Sequence, residues 1–172
     1  GFSQTNDPEG EWNLYALDGN SLDNETWSDY PVIGISNEEL FIGINTFENG
    51  SMNNSGFVET CLWQIGLSEG YAGTPLNTAY YSDILESDKE IFNICPIQGG
   101  LGTYGPEQYL LASRSFDEQN DTIFMLHITG NLADPNLELE VSTLTTPQEY
   151  FIPITAPQPG GHEFDTNDNR VL

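Results

Sequence analysis

Oxygen-bearing side chains crowd two short runs of this sequence. The two runs consist of Asp165, Asn167 and Asp168, and of Asp18, Asn20 and Asp23. Carboxylate and amide oxygens at one- and two-residue intervals are the ligands that a hard cation prefers. The spacing therefore predicts two loops that bind Ca²⁺. The alternative is that both runs are solvent-exposed turns, in which the side chains hydrogen-bond their own backbone.

Cys61 and Cys95 are the two cysteines of the chain, and both fall in strand-like runs. A disulfide between them would close a loop of about 35 residues and stabilise the fold by roughly 3–4 kcal/mol. The acidic, Asn- and Gly-rich composition favours an extracellular protein, where disulfides persist. We therefore predict a disulfide. Two buried free thiols, packed as small apolar side chains, are the alternative.

Catalytic constellations are sparse. Neither His127 nor His162 belongs to a cluster with the spacing of a zinc site, and no serine lies in a Gly-x-Ser-x-Gly elbow. A two-carboxylate glycosidase needs only one positioned pair, and 27 acidic residues leave the choice of that pair open. The residues favour a chain without catalysis of its own and leave the enzyme question undecided.

The charge of the chain restricts its partners. Only Lys89, Arg114 and Arg170 oppose 27 Asp and Glu, which gives a formal charge of −24. Phosphate backbones require clustered cations, so we expect no nucleic-acid binding. No apolar run reaches the ~18 residues of a membrane helix, so we expect no membrane insertion. The remaining candidates are cations, neutral glycans and basic protein surfaces.

Short runs with alternating apolar residues recur at a period of about 65 residues, which is typical of a radial or solenoid architecture. The first unit is predicted to contain strands at Val32–Ser36, Glu39–Thr46, Phe57–Gly66 and Thr78–Tyr81, and the second at Asn93–Gln98, Gln108–Arg114, Asp121–Thr129 and Glu138–Leu144. A further strand is predicted at Glu11–Leu17, one helical turn within Ser82–Glu90, and the start of a strand at Arg170–Leu172.

We therefore predict an all-β, β-propeller-like chain with about two and a half blades of four-stranded antiparallel sheets. Residues 1–26 would hold the outer strand of a preceding blade and a loop, and 27–92 and 93–148 two full blades. Residues 149–172 would start the next blade. About two and a half blades cannot close a ring, so other blades or chains should cover the open sheet edges.

Trp27, Asp29 and Tyr30 precede an innermost strand of this predicted propeller, where side chains reach the mouth of the central channel. We predict that they contribute to a ligand-binding site for a glycan or a protein. Two alternatives stay open: Asp29 can hydrogen-bond backbone amides at a blade junction, and the tryptophans can be core residues rather than a sugar-stacking platform of Trp12, Trp27 and Trp63.

Several motifs resemble those of secreted bacterial sialidase-like β-propeller proteins. In that group an Asp-Pro-x-Gly-x-Trp strand leads to Asp-Tyr-Pro-x-x-Gly and then to Asn-x-Phe, which Asp7–Trp12, Asp29–Gly34 and Asn45–Phe47 match. Gln158–Val171 resembles their Gln-Pro-Gly…Asp-x-x-Asp-x-Arg stretch. The resemblance implies an exported propeller of the non-catalytic type, at the cell surface or extracellular. Two arginines cannot complete the arginine triad of sialidases, and their repeated Asp-box motif is missing.

Together these features predict a secreted propeller segment that acts in binding, adhesion or assembly. The alternative function is part of a carbohydrate-active hydrolase, sialidase-like or a glycosidase, whose catalytic residues lie mostly outside this chain.

Overall fold

Antiparallel strands dominate the computed structural model, which describes residues 1–51, 56–98, 102, 105–114 and 117–166 and confirms the all-β class. The elements are β1 (Phe2–Ser3), β2 (Trp12–Asn13), β3 (Thr26–Ile35), β4 (Glu39–Glu48), β5 (Phe57–Gly66), α1 (Leu67–Ala72), β6 (Thr78–Tyr81), β7 (Leu85–Glu86), β8 (Lys89–Glu90), β9 (Cys95–Pro96), β10 (Gln108–Ser113), β11 (Gln119–Ile128), β12 (Leu139–Phe151), β13 (Ala156–Pro157) and β14 (Glu163–Phe164). No helix in the described ranges is long and apolar enough to cross a membrane.

The first four-stranded sheet joins its strands in chain order, β3-β4-β5-β6. β5 and β6 begin and end at the predicted residues, and the prediction of β5 rested on the alternation of its apolar residues. The pairing of β3 with β4 is irregular between Asp29 and Val32, whereas β4 pairs with β5 without interruption from Glu39 to Thr46. Side chains therefore alternate along β4 between two faces, one carrying Phe41 and the other Ile42 and Ile44.

The second four-stranded sheet repeats this topology with the order β9-β10-β11-β12. β10 and β11 agree with their predicted positions to within two residues. β12 continues to Phe151, beyond the predicted end at Leu144, because Gln119 and Asn120 extend the pairing to Phe151 and Tyr150. Each predicted unit of four strands is thus one sheet.

The main core lies between the two sheets, with β3 contacting β9. Phe41 and Leu62 come from the first sheet, and Leu110, Phe124 and Leu126 come from the second. Each is almost fully buried, and burial of such a side chain contributes about 1.5–3 kcal/mol. The connection between the sheets completes the cluster with Ile84, Ile91 and Ile94.

A buried polar cluster ties that connection to the first sheet. Asn45 Nδ2 donates to Asn93 Oδ1 at 2.5 Å, and the Asn93 backbone N–H donates back to Asn45 Oδ1 at 3.2 Å. Thr60 Oγ1 also donates to Asn45 Oδ1, at 2.8 Å. The reciprocal bonds fix the chain where it leaves the first sheet, since buried amides must be satisfied within the protein.

Two sequence predictions of local structure require correction, and one element was not predicted. The strand predicted at Glu11–Leu17 is reduced to β2, and Leu14–Leu17 are not in a strand. The stretch Ser82–Glu90 contains no helical turn but the hairpin β7–β8, because Ser87 and Asp88 adopt the left-handed conformations of a tight hairpin turn. The helix α1, unpredicted, ends at Gly73, whose φ of 71° suits a glycine C-cap.

The described strands form two four-stranded and three two-stranded sheets and do not close into a ring. The strand predicted at Arg170–Leu172 lies outside the described residues.

Candidate functional site

Trp27, Asp29 and Tyr30 lie together at the irregularity in β3, with exposed side chains. Tyr30 has a φ of 51°, an uncommon conformation for a bulky residue, and its backbone N–H donates to Asp29 Oδ1 at 2.8 Å. This bond is of the kind expected from the alternative in which Asp29 accepts hydrogen bonds from backbone amides. The indole of Trp27 lies 5.6 Å from the ring of Phe47, whereas Trp63 lies on the opposite face of the sheet, so the two indoles do not form one platform.

The run from Asp18 to Asp23 directs its oxygens toward its own loop. Asp18 Oδ1 accepts from the Asn20 N–H at 2.9 Å, and Asn20 Oδ1 accepts from the Asn24 N–H at 3.2 Å. Asp23 is exposed with a φ of 50°. These are the contacts of turns rather than of a cation site.

The second predicted calcium run is described only in part. Asp165 is exposed, and Asn167 and Asp168 lie outside the described residues. Within the described part of the chain, no three His, Cys, Asp or Glu side chains are grouped so as to hold a metal ion. Calcium binding stays a prediction.

Cys61 and Cys95 are not joined to each other or to another cysteine, so the predicted disulfide is not formed in this structure. Leu62 points into the core between the sheets, and its neighbour Cys61 therefore points to the opposite face of β5. Cys95 lies on β9, where its neighbour Pro96 pairs with the core residue Leu110 of β10. Cys95 therefore points to the outer face of the second sheet, and the two sulfur atoms lie on the outer faces of different sheets. Burial raises the pKa of the Cys61 thiol to about 11, which suppresses its thiolate.

A cavity of about 500 Å³, which we call the inter-sheet groove, is the larger of two described concave sites. Its walls are residues 37–39 of the β3–β4 turn, residues 66–69 at the β5–α1 junction, Tyr71, Asn77, and residues 131–133 after β11. The groove thus combines parts of both four-stranded sheets with carboxylates, amides and one aromatic ring. Concave sites with convergent polar groups are the usual location of ligand binding.

Glu38 and Glu39 hold the 131–133 segment against the first sheet. Asn131 Nδ2 donates to Glu38 Oε2 at 2.7 Å, and the Leu132 backbone N–H donates to Glu39 Oε1 at 2.6 Å. Glu38 is the last residue of the β3–β4 turn, and Glu39 is the first residue of β4. Glu38 is exposed, whereas Glu39 is only 3% exposed.

Glu39 also connects the groove to the interior. Gln64 Nε2 donates to Glu39 Oε2 at 2.5 Å, and Tyr81 Oη donates to Gln64 Oε1 at 2.6 Å. Burial raises the pKa of the Glu39 carboxyl above its ordinary value, although the bonds from Leu132 and Gln64 oppose the shift. Burial also raises the pKa of Tyr81, to about 12.

The opposite wall contributes a third carboxylate and the aromatic ring. Glu69 Oε2 accepts from Ser68 Oγ at 2.8 Å and lies over Gly66, where a Cβ would approach it to 2.3 Å. Tyr71 is 56% exposed, and Phe2 contacts it edge-to-face with ring centroids 5.3 Å apart. The groove therefore offers hydrogen-bond acceptors beside an exposed ring.

A second cavity, of about 320 Å³, is lined by Phe57, Phe92 and Phe124 and by the cations Lys89 and Arg114. Arg114 binds Glu86 at 2.8 Å and lies 4.7 Å above the centroid of the Phe124 ring. These contacts satisfy Arg114 within the protein.

None of the residues that the sequence marked as sites lines the inter-sheet groove. The available signal was Glu39, a charged residue that directly precedes the apolar run Leu40–Ile42 of β4. A buried position for such a residue is uncommon unless hydrogen bonds compensate the charge.

A scan against protein-family models finds no match for the chain, and neither does a search of the curated proteins or of the solved structures.

Proposed function

We propose that the chain is a β-propeller segment that acts in binding, adhesion or assembly at the cell surface or outside the cell, without catalysis of its own. The observation that carries the proposal is the pair of four-stranded sheets, each ordered along the chain, with the first strand of one contacting the first strand of the other. Propeller blades have this topology and stack around their innermost strands.

The division into about two and a half blades belongs to the same proposal. β3 and β9 would be inner strands, and β6 and β12 outer strands. Ile33 and Ile35 of β3 and Leu144 of β12 are each exposed by 45% or more. Exposed apolar side chains on sheets support the idea that further blades or chains cover them.

Export is proposed from composition and motif resemblance. An acidic surface with a formal charge of −24 keeps a protein soluble and repels other acidic surfaces. Glycans and proteins are the proposed ligand classes, and calcium the proposed cofactor.

The second candidate function is part of a carbohydrate-active hydrolase. Burial raises the pKa of Glu39, as a general acid requires, and Glu38 and Glu69 share its cavity. Against this candidate, both Glu39 oxygens already accept hydrogen bonds from the protein. We therefore rank it below binding.

The deciding experiment combines two measurements on the purified chain. One follows release of the chromophore from a panel of aryl glycosides, and the other follows binding to immobilised neutral oligosaccharides and to immobilised cationic proteins. We expect saturable binding without turnover. Glycoside turnover that is lost in Glu39→Gln would overturn the proposal in favour of the hydrolase. If the chain shows neither turnover nor binding, the binding proposal is refuted for these ligand classes.

A further inference from the structure

We propose that the inter-sheet groove binds the guanidinium group of an arginine presented by a basic protein partner. The inference rests on the proposed binding function and adds the chemistry of the partner. Guanidinium combines a fixed charge, a planar fork of N–H donors that matches carboxylates, and a flat surface that stacks on aromatic rings.

The carboxylates supply the acceptors. The described bonds to Glu38 and Glu69 within the groove come from neutral donors, Asn131 Nδ2 at 2.7 Å and Ser68 Oγ at 2.8 Å. Among the described residues, no lysine or arginine forms an ion pair with either carboxylate. Each carboxylate has about four acceptor positions, so one neutral donor leaves capacity for a cation.

The ring of Tyr71 supplies a second and different contact. It is 56% exposed, contacts Phe2 in an edge-to-face arrangement, and lines the same groove as the carboxylates. A cation over an aromatic face is attracted by the electron-rich face of the ring, and arginine makes this contact more often than lysine. The groove therefore pairs acceptors with a stacking surface, a combination that suits guanidinium better than a hydrated ammonium group.

The described part of the chain supplies no lysine or arginine to the groove, so the cation must come from a partner. Lys89 and Arg114 both line the second cavity, and Arg114 is already bound to Glu86. The formal charge of −24 also steers basic partners toward the protein and repels acidic ones. A volume of about 500 Å³ accommodates an arginine side chain together with its flanking backbone.

The test is an NMR titration of the full chain with Nα-acetyl-arginine amide, compared with Nα-acetyl-citrulline amide, which has nearly the same shape but no charge. We expect saturable shifts of the backbone amides of Leu67 and Leu132 with arginine and none with citrulline. The Glu38→Gln/Glu69→Gln variant keeps acceptors for Asn131 and Ser68 and should raise the Kd roughly tenfold, about 1.4 kcal/mol.

The matched control is Glu118→Gln/Glu163→Gln, which changes the net charge equally but does not touch the groove. It should leave the Kd within about twofold, since charges beyond the ~8 Å Debye length are screened at physiological salt. A Tyr71→Leu variant that melts normally should lose the preference for arginine over the lysine analogue. Equal shifts with citrulline, an equal effect of the control pair, or shifts with neutral saccharides alone would overturn the inference.

The two proposals fail separately. Saturable binding to immobilised proteins or glycans, combined with no arginine shift in the groove, would sink the inference and leave the proposed function standing. Glycoside turnover would refute the proposed function whatever the arginine titration shows.

Discussion

Gly34 and Gly43 lie on the face of the first sheet that packs against the second. A Cβ at position 34 would stand 2.4 Å from the Cβ of Pro96, and a Cβ at position 43 would stand 2.7 Å from the carbonyl oxygen of Ile94. Neither obstacle is the flexible end of a long side chain. Substitution by alanine must therefore push the segment around β9 away from β3 and β4.

The magnitude follows from two opposing effects. Adding a methyl group to a packed interior costs about 1–3 kcal/mol. Replacing glycine by alanine also restricts the unfolded chain, which stabilises by about 0.4–1 kcal/mol where the native conformation allows it. The clash should prevail at both positions, because distances below 3.0 Å cannot be tolerated without movement. The clash less the glycine effect leaves a net destabilisation of up to about 2.6 kcal/mol. For a chain of this length each kcal/mol lowers the Tm by roughly 2–4 °C, so we expect the Tm to fall by up to about 10 °C.

Thermal melts and urea titrations of Gly34→Ala and Gly43→Ala measure this loss. Gly102→Ala is the matched control, because Gly102 is exposed, has no atom within 4 Å of its built Cβ and does not adopt a left-handed φ. The control should be as stable as the parent or slightly more stable. If both core-facing variants have the same Tm as the control, the two sheets do not pack through β3 and β9, and the basis of the propeller proposal is lost.

Three further predictions concern charge, thiols and metal. Burial raises the pKa of Glu39, so the contribution of this carboxyl to stability is present below its usual pKa and is lost as pH rises through the raised value. In a plot of the urea midpoint against pH, Glu39→Gln should remove this part of the slope. An unchanged slope would contradict the burial argument. Alkylation of the folded protein should modify the partly buried Cys95 before Cys61, and both cysteines should react after denaturation. Reductant should leave the Tm unchanged, and a Tm that falls with reductant would indicate a disulfide. If the Asp18 run binds calcium, a Ca²⁺ concentration of about 100 Kd should stabilise by about 2.7 kcal/mol, and a midpoint that is identical in chelator would refute calcium binding.

The strands were the most predictable part of the fold. β5 and β6 coincide with their predicted ranges, and β5 was recognisable because alternation of apolar residues depends on neighbours two positions apart. Short elements were not predictable in the same way. α1 has six residues, too few for a periodic pattern, and the β7–β8 turn depends on left-handed Ser87 and Asp88, which lack the usual Asn-Gly signal.

The candidate site was not predictable, because five separate segments build it. Glu38 and Asn131 are 93 positions apart and meet only because the two sheets are adjacent. Asp29 shows the opposite case: its bond to the Tyr30 amide is local, and the alternative stated from the sequence anticipated such a bond.

The properties that depend on composition, and the periodicity of the side chains, can be read directly from the order of the residues. The formal charge of −24, the scarcity of cations and the two sets of four strands all follow from residue types and from neighbours along the chain. The tertiary structure alone decided which faces meet. Alternation places Cys61 and Leu62 on opposite faces of β5, but only the packing of the second sheet against Leu62 turns Cys61 away from that sheet. Only tertiary packing also brings Glu39 to Leu132. The physical reason is that a period of two fixes which side chains share a face, whereas the burial of apolar surface selects the partner of that face.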